Sequence, residues 1–249
     1  MRIGVTGASG FIGKHVCQQA REAGHETLAL PLSGVIAPGL DALIHLVAAG
    51  VNDPSLEWGE LFRVNVEQSL NLWLRAADSG IRRFVICGSC FEYGLSAIQY
   101  DRVPVTARLI PLTRYAASKA AATMAALAFS EERSVQVIVA RPFQVFGPGE
   151  KEPRLWPSLK RAALRGDDFP MTLGEQVRDF IPVEWVARFL LSLAVPPGFR
   201  GVVNIGTGEG RTVLDFAGEW WRRWGAKGKL LPGSLPYRRN ELMRCVAEL

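Results

Sequence analysis

The chain has 249 residues, 48% of them hydrophobic and 21% charged, which excludes a disordered protein and is enough to bury a sizeable core in one body or in two closely packed lobes. The formal charge of +5 does not indicate nucleic-acid binding, because the 23 arginines and six lysines are scattered along the chain without a basic tract. No apolar run reaches the roughly 20 residues that cross a bilayer, and the first residues have the pattern of a strand rather than of a signal peptide, so we expect a soluble cytoplasmic protein without a membrane partner.

The first predicted elements are a buried strand at Arg2–Thr6, a glycine-rich turn and a helix over 14–23. A strand, a glycine turn and a helix in this order are typical of dinucleotide binding, because the amides of the turn and of the helix N-terminus stabilise a pyrophosphate. Gly7 and Gly10 let the chain turn tightly, and Gly13 lets the helix pack closely on the strand. The candidate cofactor-binding residues of this turn are Gly7, Ser9, Gly10, Phe11, Ile12 and Gly13.

Strands and helices alternate along the rest of the chain. Further strands are predicted over 26–30, 41–47, 83–88, 135–140 and 202–205, and helices near 60–79, 112–132, 155–166 and 184–194. This alternation predicts an α/β fold in which helices cover both faces of a doubly wound parallel sheet. Proline and glycine interrupt the chain after Pro142, so we expect residues 1–141 to form the main domain and 142–249 a smaller substrate lobe interleaved with it.

One serine follows the predicted strand over 83–88. Ser89 lies where the carboxyl ends of parallel strands gather functional groups, although a serine after a strand is more often an ordinary turn residue. Cys87 and Cys90 flank it with a spacing that suits a redox or metal pair, but the sequence has no second pair and only three histidines. We therefore expect no metal site, a buried thiol at Cys87 and a thiol at the edge of the site at Cys90.

Two side chains on the predicted helix over 112–132 suit proton transfer. Tyr115 and Lys119 are one helical turn apart, so both emerge on one face. A phenol with an ordinary pKa of about 10 needs help to exchange protons near neutral pH, and a nearby ammonium favours the phenolate. The spacing alone is a weak signal, because the alternative is a solvated pair on a helix surface.

Together these motifs resemble the extended short-chain dehydrogenase/reductase family, which contains sugar-nucleotide epimerases, dehydratases and ketoreductases. The resemblance covers nearly the whole chain, in order and in spacing, and it implies a Rossmann-type fold. The residues that carry it are Gly7, Gly10, Gly13, 44–49, Asn65, Ser89, Tyr93, Gly94, Tyr115, Lys119, 141–148, 178–183 and 204–208.

The resemblance implies hydride transfer between a nicotinamide, NAD or NADP, and a carbon of a nucleotide sugar, in a homodimeric enzyme. Tyr115 is the implied proton donor, Lys119 lowers the pKa of its phenol, and Ser89 binds the substrate carbonyl oxygen. The residues implied to contact the cofactor, besides the glycine turn, are Leu46, Ala48, Asn65, Tyr115, Lys119 and Pro142. Those implied to contact the substrate are Ser89, Cys90, Phe91, Gln144, Arg178 and Arg238.

Three features depart from the pattern of the family. The second strand ends at Leu30 without the acidic residue or the arginine that would distinguish NAD from NADP, so the cofactor preference stays open. Only the segment 32–41 separates it from the third strand, which is too short for the additional strand and helix of the family. We therefore expect a shallower adenine site and a cofactor that exchanges. The family continues beyond the position of Leu249, which implies a more open substrate pocket or one that a partner completes.

The expected reaction depends on the residues after Ser89. Dehydratases of this family have an acidic pair there, whereas this chain has Cys90 and Phe91, and Glu92 should face away on an extended segment. An exchanging cofactor favours a nucleotide-sugar 4-ketoreductase, with a 4-epimerase as the alternative because both use the same three residues. A non-catalytic cofactor-sensing or scaffold protein is the alternative of another class, and the intact set of three catalytic candidates disfavours it.

Overall fold

The computed structural model describes residues 1–51, 53, 55–196 and 199–249 of the chain. The strands, in chain order, are β1 (Arg2–Thr6), β2 (Glu26–Leu30), β3 (Ala42–His45), β4 (Arg83–Cys87), β5 (Gln136–Pro142), β6 (Gln144–Phe146), β7 (Phe169–Pro170), β8 (Val177–Arg178), β9 (Phe180–Pro182), β10 (Gly201–Ile205), β11 (Arg211–Thr212), β12 (Leu230–Leu231) and β13 (Arg244–Cys245). The α-helices are α1 (Phe11–Glu22), α2 (Trp58–Phe62), α3 (Ser69–Asp78), α4 (Arg114–Glu132), α5 (Leu155–Arg165), α6 (Val183–Ala194) and α7 (Val213–Arg223). A π-helical turn, Arg63–Gln68, joins α2 to α3, and short 3₁₀ helices lie at Cys90–Glu92 and Leu95–Gln99. Among the helices in these described ranges, none is long and apolar enough to cross a membrane.

Six of the strands form a parallel sheet, in the spatial order β10-β5-β4-β3-β1-β2. Its two faces are covered by different helices. Ile3, Val5 and Ile44 belong to an apolar cluster with α1 and α6, while Leu43 and Phe84 belong to another with α3 and α4. Apolar side chains on both faces are typical of a parallel sheet that lies between two helical layers. The predicted doubly wound α/β fold is confirmed.

At one edge the sheet ends with β2. The connection 31–41, every residue of which the structure describes, contains no helix or strand. Ile36 and Leu40 in this connection are buried on the α3 side of the sheet. Arg75 on α3 donates from Nη2 to the Leu32 carbonyl oxygen at 2.6 Å. The short connection therefore covers the sheet edge by itself, which agrees with the expectation that an additional strand and helix are missing here.

The second half of the chain contributes to both parts of the molecule. β10 pairs with β5 in the central sheet, and α6 packs against α1. α5, α7 and the short strands form a lobe with an aromatic centre, in which Phe180 stacks on Phe216 with ring centroids 3.8 Å apart. Trp156 contacts Trp220 and Trp224 in the same lobe. β10 and α6 thus belong to the layers of the central sheet, although they follow Pro142 in the chain.

The residues near Leu249 pack against the main domain. β13 pairs in parallel with β8. Val103 donates its amide to the Val246 carbonyl oxygen at 2.7 Å and accepts from the Glu248 amide at 3.1 Å. Cys245 is buried in the same apolar cluster as Cys90, which is the residue that follows Ser89 in the chain. This segment therefore covers the side of the sheet on which the candidate catalytic serine lies.

Candidate active site

The glycine-rich turn joins β1 to α1. Gly7 has a φ of +67°, and the Gly10 amide donates to the Gly7 carbonyl oxygen at 2.9 Å. A Cβ on Gly13 would lie 2.1 Å from the same oxygen, so only glycine lets α1 pack this closely on the turn. Among the described side chains none caps α1, and its first turn has no acidic residue, which leaves its N-terminal amides to bind an anion. The turn therefore fits the pyrophosphate of a dinucleotide.

The segment after β3 lies beside this turn and carries Leu46 and Ala48. The Leu46 amide donates to Thr6 Oγ1, at the end of β1, at 3.0 Å, and the Ala49 amide donates to Asn65 Oδ1 at 2.7 Å. Asn65 Nδ2 donates in turn to the Ala49 carbonyl oxygen at 3.1 Å and to Ser118 Oγ on α4 at 2.9 Å. Asn65 is buried within the π-helical turn and ties the segment after β3 to α4.

The segment after β4 is a helical turn and not the extended segment that we expected. Ser89 itself has extended backbone angles, and its Oγ accepts from the Phe91 amide at 3.2 Å. Glu92 Oε1 accepts from the Ser89 amide at 2.8 Å, which completes a reciprocal capping box around a 3₁₀ turn. Our expectation that Glu92 faces away was wrong, because this box turns its buried carboxylate back toward Ser89. Phe91 is 38% exposed beside it.

α4 places Tyr115 and Lys119 beside the end of β4. Lys119 is 4% exposed, and its Nζ donates to the Cys87 carbonyl oxygen at 2.7 Å. Burial raises the pKa of Tyr115, and the nearby Cys87 and Glu92 raise it further. The net shift is therefore opposite to the lowering that the resemblance implies, because burial has the largest effect on this phenol. Tyr115 and Lys119 thus both lie near the carboxyl end of β4, which Ser89 follows, and the phenol is protonated near neutral pH.

His45 is a buried histidine in this region that the sequence did not single out. Its Nδ1 lies 3.1 Å from Thr6 Oγ1, and its Nε2 lies 3.0 Å from Ser69 Oγ. Because the Ser69 hydroxyl donates to the Val64 carbonyl oxygen at 2.9 Å, we assign the ring proton to Nε2 and a neutral ring. Burial, with a smaller effect of the Lys119 ammonium, lowers the pKa of His45 from 6.5 to about 3.

We expect this histidine to make the fold sensitive to acid. The unfolded chain takes up a proton as the pH falls through about 6.5, whereas folded His45 stays neutral down to about pH 3. Between pH 7.5 and pH 5 the free energy of unfolding should therefore fall by about 2 kcal/mol on account of this group. Urea unfolding at the two pH values measures the change. His45→Gln has no ring to titrate and should lack this part of the loss, and an equal loss in both proteins would refute the prediction.

Arg178, one of the predicted substrate-binding residues, lies close to the turn after β4. The pKa of the Cys90 thiol is raised, chiefly by a hydrogen bond with the Cys245 thiol and by burial, and the charge of Arg178 opposes this increase. Arg178 Nη2 also donates to Glu241 Oε1 at 2.7 Å, and both side chains are largely buried. The side chain of Arg238, the other predicted arginine, is exposed on the turn that leads to Glu241.

The predicted residues Pro142 and Gln144 lie where the sheet meets the lobe. Pro142 is the last residue of β5, and Gln144 begins β6 and donates its amide to the Asp179 carbonyl oxygen at 2.9 Å. The Asp179 carboxylate is buried and accepts from the Thr207 amide at 2.8 Å and from the Gly208 amide at 3.0 Å. Asp179 therefore fixes the turn after β10 against β8. The motif over 178–183 contains Asp179, but the sequence does not reveal the two amides that its carboxylate accepts from.

The cysteines are free thiols. Cys87 is buried, as expected. Cys90 is 5% exposed and lies in a buried apolar cluster with Cys245, so our expectation of a thiol at the edge of the site was wrong. The reason is that β13 covers this turn, which local sequence patterns do not reveal. In the described ranges, no group of three or more His, Cys, Asp and Glu side chains is arranged to hold a metal ion.

Comparison with known proteins gives consistent matches along most of the chain. Residues 3–206 match the profile of the NAD dependent epimerase/dehydratase family. A GDP-6-deoxy-D-mannose reductase of Pseudomonas aeruginosa is 31% identical over 247 residues, which cover 86% of this chain and 77% of that protein. A protein of Oryza sativa subsp. japonica, named probable UDP-arabinose 4-epimerase 3, is 28% identical over 71% of this chain, and the chain spans about half of its length, 49%.

Solved structures extend the likeness to the entire fold. MoeE5 in complex with UDP-glucose and NAD is 27% identical to this chain and has a TM-score of 0.86. The match covers 100% of this chain and 90% of that one. The lobe with α5 and α7 is therefore included in the likeness, together with the central sheet.

Proposed function

The chain belongs to the NAD-dependent epimerase/dehydratase family, and we propose that it is an NAD(P)-dependent oxidoreductase that reduces the 4-keto group of a nucleotide sugar. The observation that carries the proposal is that Ser89 directly follows β4, that Lys119 binds the last residue of β4, and that charges at Cys87 and Glu92 act on Tyr115. The strand that leads into the glycine-rich turn, β1, is separated from β4 in the sheet by β3 alone. A protein that only binds a dinucleotide has no need of a protonated phenol, a buried ammonium and an N-cap serine at one edge of its sheet. The same observation disfavours a non-catalytic cofactor sensor or scaffold.

When bound with its pyrophosphate at the glycine-rich turn, NADH or NADPH supplies a hydride. Tyr115 donates its proton to the substrate oxygen, because its raised pKa keeps the phenol protonated near neutral pH. Ser89 Oγ accepts from the Phe91 amide, which leaves its hydroxyl proton to hydrogen-bond and polarise the same oxygen. Lys119, fixed on the Cys87 carbonyl oxygen, contributes a positive charge that favours negative charge developing at this edge.

The neighbours of Ser89 favour reduction over the other reactions of the family. Elimination of water requires a free acid, but Cys90 and Phe91 are not acidic and both oxygens of Glu92 accept from donors within the protein. A phenol with a raised pKa is protonated near neutral pH, which is the starting state that a reductase needs, whereas an epimerase uses one group both to accept and to donate the proton. A nucleotide-sugar 4-epimerase is the second candidate, since one relative has that activity in its name.

Cofactor binding is the first requirement of this proposal. Titration of the purified protein with NADH and with NADPH, followed by the fluorescence of the reduced nicotinamide, should give a micromolar dissociation constant for at least one of them. Both are needed because β2 ends at Leu30 without a side chain that selects between them. A folded protein that bound neither cofactor would argue against the proposal and in favour of the non-catalytic alternative.

We further propose that Arg178 binds the diphosphate of the substrate. A guanidinium suits phosphate because it can donate two parallel hydrogen bonds. In the structure this guanidinium forms an ion pair with the Glu241 carboxylate, which is negatively charged, as is a diphosphate. Glu241 therefore competes with the substrate for Arg178.

Substitution of this pair should change KM in opposite directions. Arg178→Met should raise KM for the nucleotide sugar by about 10- to 100-fold, since it removes charge-assisted hydrogen bonds. Glu241→Gln keeps the shape of the side chain but weakens the competing ion pair, so it should lower KM. Steady-state kinetics measures both, and Arg200→Met, which breaks an exposed pair with Glu131, serves as the control. A higher KM in Glu241→Gln would indicate that Glu241 only braces Arg178.

We also propose that the protein acts as a homodimer in the cytoplasm. Trp58 on α2 is 53% exposed and Met124 on the neighbouring α4 is 62% exposed, which suits burial against a second copy of the chain. Free thiols at all four cysteines suit a reducing compartment. Sedimentation as a monomer at micromolar concentration would rule out the dimer.

A further inference from the structure

Glu92 takes no part in the proposed reaction, yet its carboxylate is fully buried beside the site. Its Oε1 accepts from the Ser89 amide at 2.8 Å, and its Oε2 accepts from Thr123 Oγ1 and Arg141 Nε, each at 2.8 Å. A buried carboxylate is very unfavourable without such donors, and here two neutral donors and one guanidinium compensate its charge. Groups from the turn after β4, from α4 and from β5 therefore meet on this one side chain.

These contacts fix Ser89 relative to the helix that carries Tyr115. Thr123 lies two helical turns beyond Tyr115 on the same face of α4, so one face presents the proton donor and also holds Glu92. Gly88 makes room for this arrangement, because a Cβ there would lie 2.6 Å from Glu92 Oε1. Glu92 therefore links the Ser89 amide to the helix that carries Tyr115.

We propose that Glu92 is a positioning residue, which through its bond to the Ser89 amide directs the Ser89 hydroxyl toward the oxygen that Tyr115 protonates. This inference rests on the proposed function, since it takes Ser89 as the residue that binds the substrate oxygen. The bond from the Phe91 amide to Ser89 Oγ at 3.2 Å depends on the same turn. Without Glu92 the Ser89 amide loses its acceptor, the capping box opens and the hydroxyl is free to adopt other rotamers.

A buried ion pair can also serve the fold alone, and a paired substitution separates the two roles. Removal of one partner leaves an unpaired buried charge, which is strongly destabilising. Replacement of both, as Glu92→Leu with Arg141→Met, removes the pair without leaving a charge and is often close to neutral for stability. We expect the paired variant to fold while it deprives Ser89 of its acceptor. Asp78→Leu with Arg133→Met, which removes a more exposed ion pair at the far end of α4, is the control.

The experiment combines hydrogen exchange with kinetics on the full chain. In the paired variant the Ser89 amide should exchange at least about 10-fold faster than in the wild type, while the Ala116 amide, which Thr113 caps, should exchange unchanged. With a 4-keto nucleotide sugar, kcat should fall by about 10- to 100-fold, while the thermal midpoint and the cofactor affinity stay as in the control. In a Ser89→Ala background the paired variant should cause no further loss of kcat, because both changes act through one hydroxyl.

The outcomes distinguish this inference from the proposed function. Faster exchange of the Ser89 amide together with non-additive losses of kcat supports the positioning role. Losses that multiply, or full kcat in the paired variant, overturn the inference and leave the proposed function standing. A wild-type protein that reduces no nucleotide sugar overturns the proposed function, and exchange then decides by itself whether Glu92 holds Ser89. Unchanged exchange of the Ser89 amide overturns the inference in every case.

Discussion

Replacement of Tyr115 with phenylalanine should lower kcat by about 10²- to 10⁴-fold, which is the range that general acid catalysis contributes. The substitution removes only the hydroxyl, and the ring continues to fill its half-buried place on α4 beside the end of β4. Cofactor affinity and KM for the sugar should therefore change little. Steady-state kinetics with a reduced nicotinamide, together with the fluorescence titration, separates the effect on kcat from effects on binding.

Tyr100→Phe is a matched control for this change. Tyr100 is half-buried and precedes α4 in the chain, outside the cluster of Ser89, Tyr115 and Lys119. The loss of its hydroxyl should leave kcat within about twofold of the wild type, as is usual for groups that do not touch the reacting atoms. A Tyr115→Phe protein that kept a comparable kcat would disprove the assignment of the proton donor.

Gly13→Ala should weaken cofactor binding by about 100-fold or more, because it affects several charge-assisted hydrogen bonds at once. A Cβ at this position would lie 2.1 Å from the Gly7 carbonyl oxygen and 2.9 Å from Ala8 Cα. Both are backbone atoms that cannot rotate away, so the N-terminus of α1 must shift relative to the turn. That shift moves the helix amides away from the pyrophosphate that they are placed to bind.

The control for Gly13→Ala is Gly59→Ala. Gly59 lies in α2, and a Cβ there would meet no atom of the described chain within 4 Å. Alanine is the better helix former, so this variant should fold and bind the cofactor as the wild type does. Fluorescence titration and circular dichroism of both variants test the prediction. Unchanged affinity in a folded Gly13→Ala protein would exclude this turn as the pyrophosphate site.

The central sheet and its glycine-rich turn could be predicted because short segments specify them. Arg2–Thr6 and Glu26–Leu30 have the bounds that their apolar patterns predict. α4 begins at Arg114, two residues after the predicted start, because Thr113 caps it. The backbone requirement at Gly13 was predictable for the same reason, since the whole contact lies within a single turn.

One local signal was misinterpreted. The spacing of Ser89 and Glu92 is that of a capping box, which the sequence did contain, but we expected an extended segment in its place.

Contacts between distant segments could not be predicted. Arg178 and Glu241 are 63 residues apart, and no local pattern pairs them. The pairing of two-residue strands such as β8 and β13 likewise depends on how the lobe packs. The raised pKa of Tyr115 depends on burial, which only the assembled site determines.

The most direct test of the proposed function is turnover. Purified protein is incubated with NADH or NADPH and with 4-keto-6-deoxy nucleotide sugars that differ in their nucleotide, and both the absorbance of the reduced nicotinamide and the sugar spectrum are followed. The proposed function predicts that at least one combination loses absorbance in step with formation of the 4-hydroxy sugar, and that Tyr115→Phe nearly stops this loss. Constant absorbance with every sugar, from a protein that binds the cofactor, would contradict a reductase, and inversion of a 4-hydroxyl group without net loss of cofactor would identify the epimerase instead.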